Sequence, residues 1–209
     1  MEGCKKQREL ASGTPTIADA ERFLLELAPS VLLEPMAHPM IVESYILSAE
    51  LHQHQKRKSG EPYFKHPVEV TLLLRELTDD VDAEMVCASL LHDVVEDCEI
   101  TIQQLAEKTS EKIAEMVDGL TKINAPGTGR TDEEKTFEKF REFAKKDLRI
   151  YIIKFSDILC NLDDIHALSE ERRRNYAKRA LEKYAPLANQ TGNEKVAEAI
   201  ARKARKVLQ

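Results

Sequence analysis

From residue 17 to the C-terminus, apolar residues return every three or four positions in run after run, with capping residues between the runs. That is the period of α-helices laid against a shared core, and no stretch shows the strict alternation of a strand series. The spacing predicts helices over 17–28, 38–55, 65–78, 82–97, 101–108, 110–124, 132–146, 147–166, 169–188 and 192–208. Start signals support several of them. Thr101 to Gln104 and Thr131 to Glu134 have capping-box form, Asp82 and Ser110 are good N-caps, and two glutamates follow Ser169, as suits a positive helix end. With only seven Gly, no Trp and 5% aromatic residues, composition also points away from a sandwich or barrel. The expected fold is all-α: one bundle of about ten helices spanning 16–209, after a loose polar tail at 1–15. The segment 124–131, NAPGTGRT, is the one loop with two Gly and a Pro and should be mobile; its GTG is no phosphate loop, because no Gly-Lys-Ser/Thr follows.

The net charge of −6 and a pI near 5.6 argue against wholesale electrostatic binding to nucleic acid or to an anionic membrane. Any anionic ligand has to be met by a local basic patch. The cysteines, at 4, 87, 98 and 160, have no CxxC spacing, and three sit in apolar segments as core residues do. A reducing, cytoplasmic setting is expected, and no run approaches a membrane span. The sequence carries no signal of oligomeric state.

Inside this pattern, residues 90–98 read LLHDVVEDC, a histidine and three carboxylates embedded among Leu, Val and Cys. On a continuous helix, His92 and Glu96 would lie four apart, as would Asp93 and Asp97, so the polar groups would share one side. Three carboxylates crowded against apolar surface cost on the order of several kcal/mol unless a cation or proton compensates. A solvated acidic stripe and a metal-binding cluster both fit this stretch alone. A divalent metal would draw further ligands from distant parts of the chain. His66 precedes Pro67 at the start of an apolar helix, where its side chain would be held at a fixed point. Asp157 lies in DLRIYIIKFSDILCNLDDI, a helix apolar over most of its girth, with Asn161 one turn on; read alone, Asp157 could equally pair with Lys154.

The order His66, His92-Asp93, Asp157 resembles the H…HD…D pattern of the HD phosphohydrolases. The flanking text narrows the likeness. RKSGEPYFKHP (57–67), LLHDVVED (90–97), VDGLTKI (117–123), DLRIYIIKFSD (147–157) and YAPLANQTG (184–192) look like successive motifs of the alarmone hydrolase domain of Rel/SpoT-type enzymes. The resemblance covers about residues 40–192. The chain ends where a synthetase domain would begin in the long enzymes, so it is similar to a stand-alone small alarmone hydrolase.

Members of that family remove the 3′-pyrophosphate from ppGpp or pppGpp with one Mn²⁺. The resemblance implies that His66, His92, Asp93 and Asp157 hold the metal and that Glu96 and Asp97 orient and activate water. It also implies that Arg57, Lys58, Ser59 and Asn161 contact the nucleotide. Lys122 and Tyr184 sit inside matched motifs and could reach phosphate or serve packing. The bottom-up chemistry agrees, since phosphate ester hydrolysis needs charge neutralisation and a nucleophile at neutral pH. The triplet Lys56-Arg57-Lys58 offers the local positive field that the whole chain lacks. Two departures stand out. The asparagine is typically preceded by His and followed by Met-Arg-Thr; here the run is Cys160-Asn161-Leu162-Asp163-Asp164, and Asn189-Gln190 stands where His-Arg is usual. Both are expected to remove positive charge where a polyphosphate binds. Two other uses therefore remain in view: the same centre acting on an adenine alarmone or NADPH, and a non-catalytic nucleotide-binding regulator.

Overall fold

The computed structural model describes residues 15–27, 37–124 and 132–209. Residues 1–14 of the tail expected at 1–15, and nearly all of the loop at 124–131, fall outside them. The all-α expectation holds, with no strand among the described residues beyond isolated bridges. Among the described residues, twelve α-helical segments follow in order: α1 (Ile17–Leu24), α2 (Ala37–Leu51), α3 (Lys65–Leu77), α4 (Ala83–Leu90), α5 (Val94–Asp97), α6 (Ile102–Lys108), α7 (Glu111–Leu120), α8 (Glu133–Lys146), α9 (Arg149–Asp163), α10 (Glu170–Arg179), α11 (Ala185–Gln190) and α12 (Glu194–Leu208). A short 3-10 turn, Ile165–Ala167, follows α9, and a π turn, Ala180–Tyr184, joins α10 to α11.

Capping chemistry sets several helix starts. Asp82 accepts from the Met85 amide and Ser110 from the Ile113 amide, while Thr101 and Gln104 cap each other reciprocally. At α8 the cap is Asp132, accepting from the Lys135 amide; the box expected at Thr131 starts outside the described residues. Ser169 precedes α10 without a side-chain cap bond.

Two helices expected to be continuous are interrupted. The run 82–97 breaks at Leu91–Asp93, so α4 and α5 are separate, and the four-apart spacing expected of His92 with Glu96 does not operate. The break is built into the packing. Ser48 Oγ on α2 donates to the Leu90 carbonyl at 2.6 Å, and His92 Nδ1 bonds the Ser89 carbonyl at 2.7 Å, so the turn's polar groups are satisfied without a continuing helix. The run 169–188 is interrupted by the π turn, a distortion often found beside functional sites.

Buried apolar residues form one cluster in which α3 lies along α9 and α4 packs between α2, α7 and α9. Leu74, Leu90 and Ile153 are fully buried, each burial stabilising by about 1.5–3 kcal/mol. Buried hydroxyls pin these helices together: Ser156 Oγ on α9 donates to the Val70 carbonyl at 2.6 Å, and Thr71 Oγ1 lies 3.0 Å from Ser89 Oγ. Gly119 lets α7 close on α8, because a Cβ there would stand 2.7 Å from Phe143 Cβ. No described helix is long and apolar enough to cross a membrane.

Candidate active site

The first turn of α3, the turn after α4 and the middle of α9 meet at one point, and each brings a potential ligand: His66, His92 with Asp93, and Asp157. His66, His92 and Asp157 are all buried and offer ligand atoms within 4.8 Å of one another. His92 Nε2 lies 3.2 Å from Asp93 Oδ2 and 3.9 Å from Asp157 Oδ1; His66 Nε2 lies 3.3 Å from Asp157 Oδ1 and 3.7 Å from Asp93 Oδ2. A carbonyl can only accept, so His92 Nδ1 donates to Ser89 and Nε2 is the nitrogen turned to the cluster. That Nε2 is buried with no hydrogen-bond partner among the described residues.

The electrostatics show what the cluster lacks. Burial works to raise the Asp157 pKa, but Lys154, whose Nζ donates to Asp157 Oδ2 at 2.9 Å, together with the histidines holds it far below the usual carboxylate range. Burial alone would lower the His92 pKa, yet Asp93 and then Asp157 overcome it and raise it to about 9. The pocket around Nε2 demands positive charge. Two imidazoles and two carboxylates, all but Asp93 buried and with an unmatched nitrogen among them, suit a divalent transition metal.

Above this floor opens a cavity of about 530 Å³. One wall is the loop that carries Arg57, Lys58 and Ser59, all three of which line the cavity. Its turn is tight: the Gly60 amide donates to the Arg57 carbonyl at 2.8 Å, and Gly60 takes φ +90°, a conformation that glycine adopts without strain. The Arg57 guanidinium donates to the Asp164 carboxylate and, at 3.3 Å, to Asn161 Oδ1; Asn161 in turn donates to Asp157 Oδ1. Asn161 therefore links the loop to the floor. Lys122, Lys154, Tyr176, Arg179 and Tyr184 line the cavity as well.

Glu96 and Asp97 are tied rather than turned directly to the cavity. Glu96 accepts from the Lys122 amide at 2.6 Å and from its Nζ, so Lys122 is engaged with a carboxylate on α5. Asp97 Oδ2 accepts from the Tyr63 hydroxyl at 2.8 Å, and the same hydroxyl lies 2.7 Å from Asp93 Oδ2. One hydroxyl proton serves one carboxylate at a time, so Tyr63 couples the two. Burial first, then Asp93 and Asp97, pushes the Tyr63 pKa far up and keeps the phenol protonated. Tyr63 stacks on His52, with ring centroids 4.8 Å apart, and His52 Nδ1 bonds Gln55 at 2.8 Å. Sequence reasoning missed Tyr63, Tyr176 and Arg179. Only Tyr63 carried a signal, its position one turn before His66.

The two departures resolve differently. Asp163 bonds Lys203 on α12, and Asp164 bonds Arg57, which also lies 3.9 Å from Glu69, so neither acid presents a bare charge. Asn189 and Gln190 are exposed on α11, and Asn189 borders a different surface hollow facing α12. The expected loss of positive charge at the site does not arise from residues 189–190.

Residues 44–194 match the HD domain family. The chain belongs to this family. This HD domain is 40% identical over 158 residues to a probable guanosine-3′,5′-bis(diphosphate) 3′-pyrophosphohydrolase of Synechocystis, covering 74% of the chain and 20% of that protein. It is 37% identical over 172 residues to the enzyme of that name from Vibrio cholerae, covering 81% of the chain and 24% of the relative. It thus spans about a fifth of the length of these curated relatives. A solved metazoan ortholog of SpoT, described as hydrolysing ppGpp, superposes with a TM-score of 0.68 at 25% identity, covering 83% of this chain and 97% of the other.

Proposed function

We propose that this HD domain, as a catalytic unit over residues 16–209, is a Mn²⁺-dependent hydrolase that removes the 3′-pyrophosphate from ppGpp and pppGpp, releasing GDP or GTP and pyrophosphate. The observation that carries the reading is the buried, charge-deficient His66–His92–Asp157 cluster at the floor of a cavity flanked by basic side chains. The relatives named as 3′-pyrophosphohydrolases and the SpoT ortholog support the substrate. A cytoplasmic setting suits the free, buried thiols of Cys87 and Cys160.

His66, His92, Asp93 and Asp157 would hold the ion. When bound, it would supply Lewis-acid neutralisation of phosphoryl charge and water activation at neutral pH. Lys154 and Asn161 fix the Asp157 carboxylate, and the Ser89 carbonyl fixes the His92 ring, so these groups need little reorganisation. Asp97 is the proton acceptor in this reading, held by Tyr63 beside Asp93. Glu96 positions Lys122, whose ammonium then faces the cavity wall that receives phosphate. Arg57, Lys58 and Ser59 hold the nucleotide from the other wall, and Tyr184 closes the phosphate side.

The test is turnover by the purified chain with Mn²⁺ on ppGpp, pppGpp, the adenine analogue and NADPH. Stoichiometric GDP and pyrophosphate from ppGpp are expected. No hydrolysis of ppGpp at any Mn²⁺ concentration, or preferred loss of the 2′-phosphate of NADPH, would overturn the reading.

A further inference from the structure

Past the end of α9, the apolar side chains of Ile165, Ala167 and Leu168 line the cavity, and beside them stands the Asp164 carboxylate. Its side chain is 37% exposed, and Oδ2 is engaged by Arg57 Nη1. Oδ1 has no hydrogen-bond partner among the described residues. Asp164 lies seven residues past Asp157, a rise of roughly 10 Å on a helix, comparable to the span from a nucleoside's 3′ oxygen to the far edge of its base.

A lone carboxylate would repel a polyphosphate, but one bonded to a guanidinium carries a reduced charge, even with Glu69 3.9 Å from the same Arg57 nitrogen, and remains a strong acceptor. The pair is also held in register, since Arg57 is fixed by Asn161 as well. An acceptor-only group on an apolar wall selects a base edge by its donors. Guanine offers two adjacent donors, N1–H and the 2-amino group. Hypoxanthine keeps only N1–H, and adenine presents an acceptor nitrogen at N1.

We propose that Asp164 is a specificity-determining residue that reads the guanine edge through Oδ1 while Oδ2 holds Arg57. This rests on the proposed nucleotide reading of the cavity and deepens it by assigning base choice to one side chain. The acid that departs from the family pattern is then a base reader, not a penalty on phosphate binding.

Calorimetric titration of the Mn²⁺-loaded chain with GDP, IDP and ADP tests this without turnover, alongside Asp164→Asn. Wild type should bind GDP about tenfold or more tighter than IDP and tighter still than ADP, because a site built to hydrogen-bond a donor rejects a ligand without it. Asp164→Asn keeps the shape and one oxygen for Arg57 but puts an amide donor in place of an acceptor. It should lose GDP affinity while holding or gaining ADP affinity, and in kinetics the change should fall on KM rather than kcat. Equal wild-type binding of the three diphosphates overturns the proposal, as does an Asp164→Asn variant that weakens all three by one factor, which would make Asp164 a support for Arg57 only. Base selectivity without ppGpp hydrolysis would instead sink the proposed reaction and leave the base reader standing.

Discussion

At the N-terminal end of α9, Arg149 bonds Asp147, Asp82 and Glu84 at a partly exposed corner, with Lys112 3.1 Å from Asp147. Within about two turns further on, Lys154 and Asp157 form a single ion pair beneath the cavity. The corner has more ion pairs, yet each of its charges has an opposite partner within 3.1 Å, and its role is to tie the start of α9 to the capping end of α4. The inner pair borders His92 Nε2, buried and unmatched, and belongs to a cluster whose carboxylates demand more positive charge than the protein provides. An unmatched buried atom, rather than the number of charge pairs, separates a candidate site from a structural clamp.

The sharpest way to break that comparison is to neutralise one carboxylate in each region. Asp157→Asn should lower Mn²⁺ affinity by at least about 10²-fold and abolish measurable hydrolysis, since it removes a proposed ligand, whereas loss of an outer-shell partner typically costs 10–100-fold. Asp147→Asn should leave Mn²⁺ affinity unchanged. Calorimetric Mn²⁺ titration of both variants decides it, and equal affinities would show that the inner cluster is another clamp.

The next effect is smaller and separates the acceptor from its holder. Asp97→Asn should retain Mn²⁺ and lose about 10²–10⁴-fold in kcat, the usual cost of a missing general base. Tyr63→Phe keeps the ring stacked on His52 and deletes only the hydroxyl shared by Asp93 and Asp97. Its loss should be milder, about tenfold in kcat with KM held. If Tyr63→Phe instead raised KM alone, the phenol would contact substrate and not position Asp97.

Much of this site was legible because ligands for a buried metal are few and chemically distinctive. His66, His92, Asp93 and Asp157 come together as the sequence pattern expected, and Asp157 also pairs with Lys154. Less legible was the break at Leu91–Asp93. Apolar periodicity runs straight through LLHDVVED, and only tertiary partners such as Ser48, bonding the Leu90 carbonyl from 42 residues away, stop the helix. The pairing of Asp164 with Arg57 spans 107 residues and leaves no local pattern. For that reason, charge counting along the sequence read Asp163 and Asp164 as repulsive when each is bonded to a cation.

The smallest expected effect lies at the corner and depends on pH. The Arg149 hydrogen bonds, with Lys112 helping, hold the Asp147 carboxyl at about 2, against roughly 3.9 in an unfolded chain. A depressed folded-state pKa means that the ionised group stabilises above about pH 4 and that this contribution fades as pH falls through about 2. Asp147 is mostly shielded but its partners are partly exposed, so solvent screening leaves about 1 kcal/mol at most. Urea unfolding at pH 6 should therefore place Asp147→Asn below wild type by about that amount, with the gap shrinking in high salt and closing toward pH 2. A gap that stays constant down to pH 2 would mean that Asp147 works through the shape of its hydrogen bonds and not through its charge, and the corner would no longer be an electrostatic clamp to set against the inner cluster.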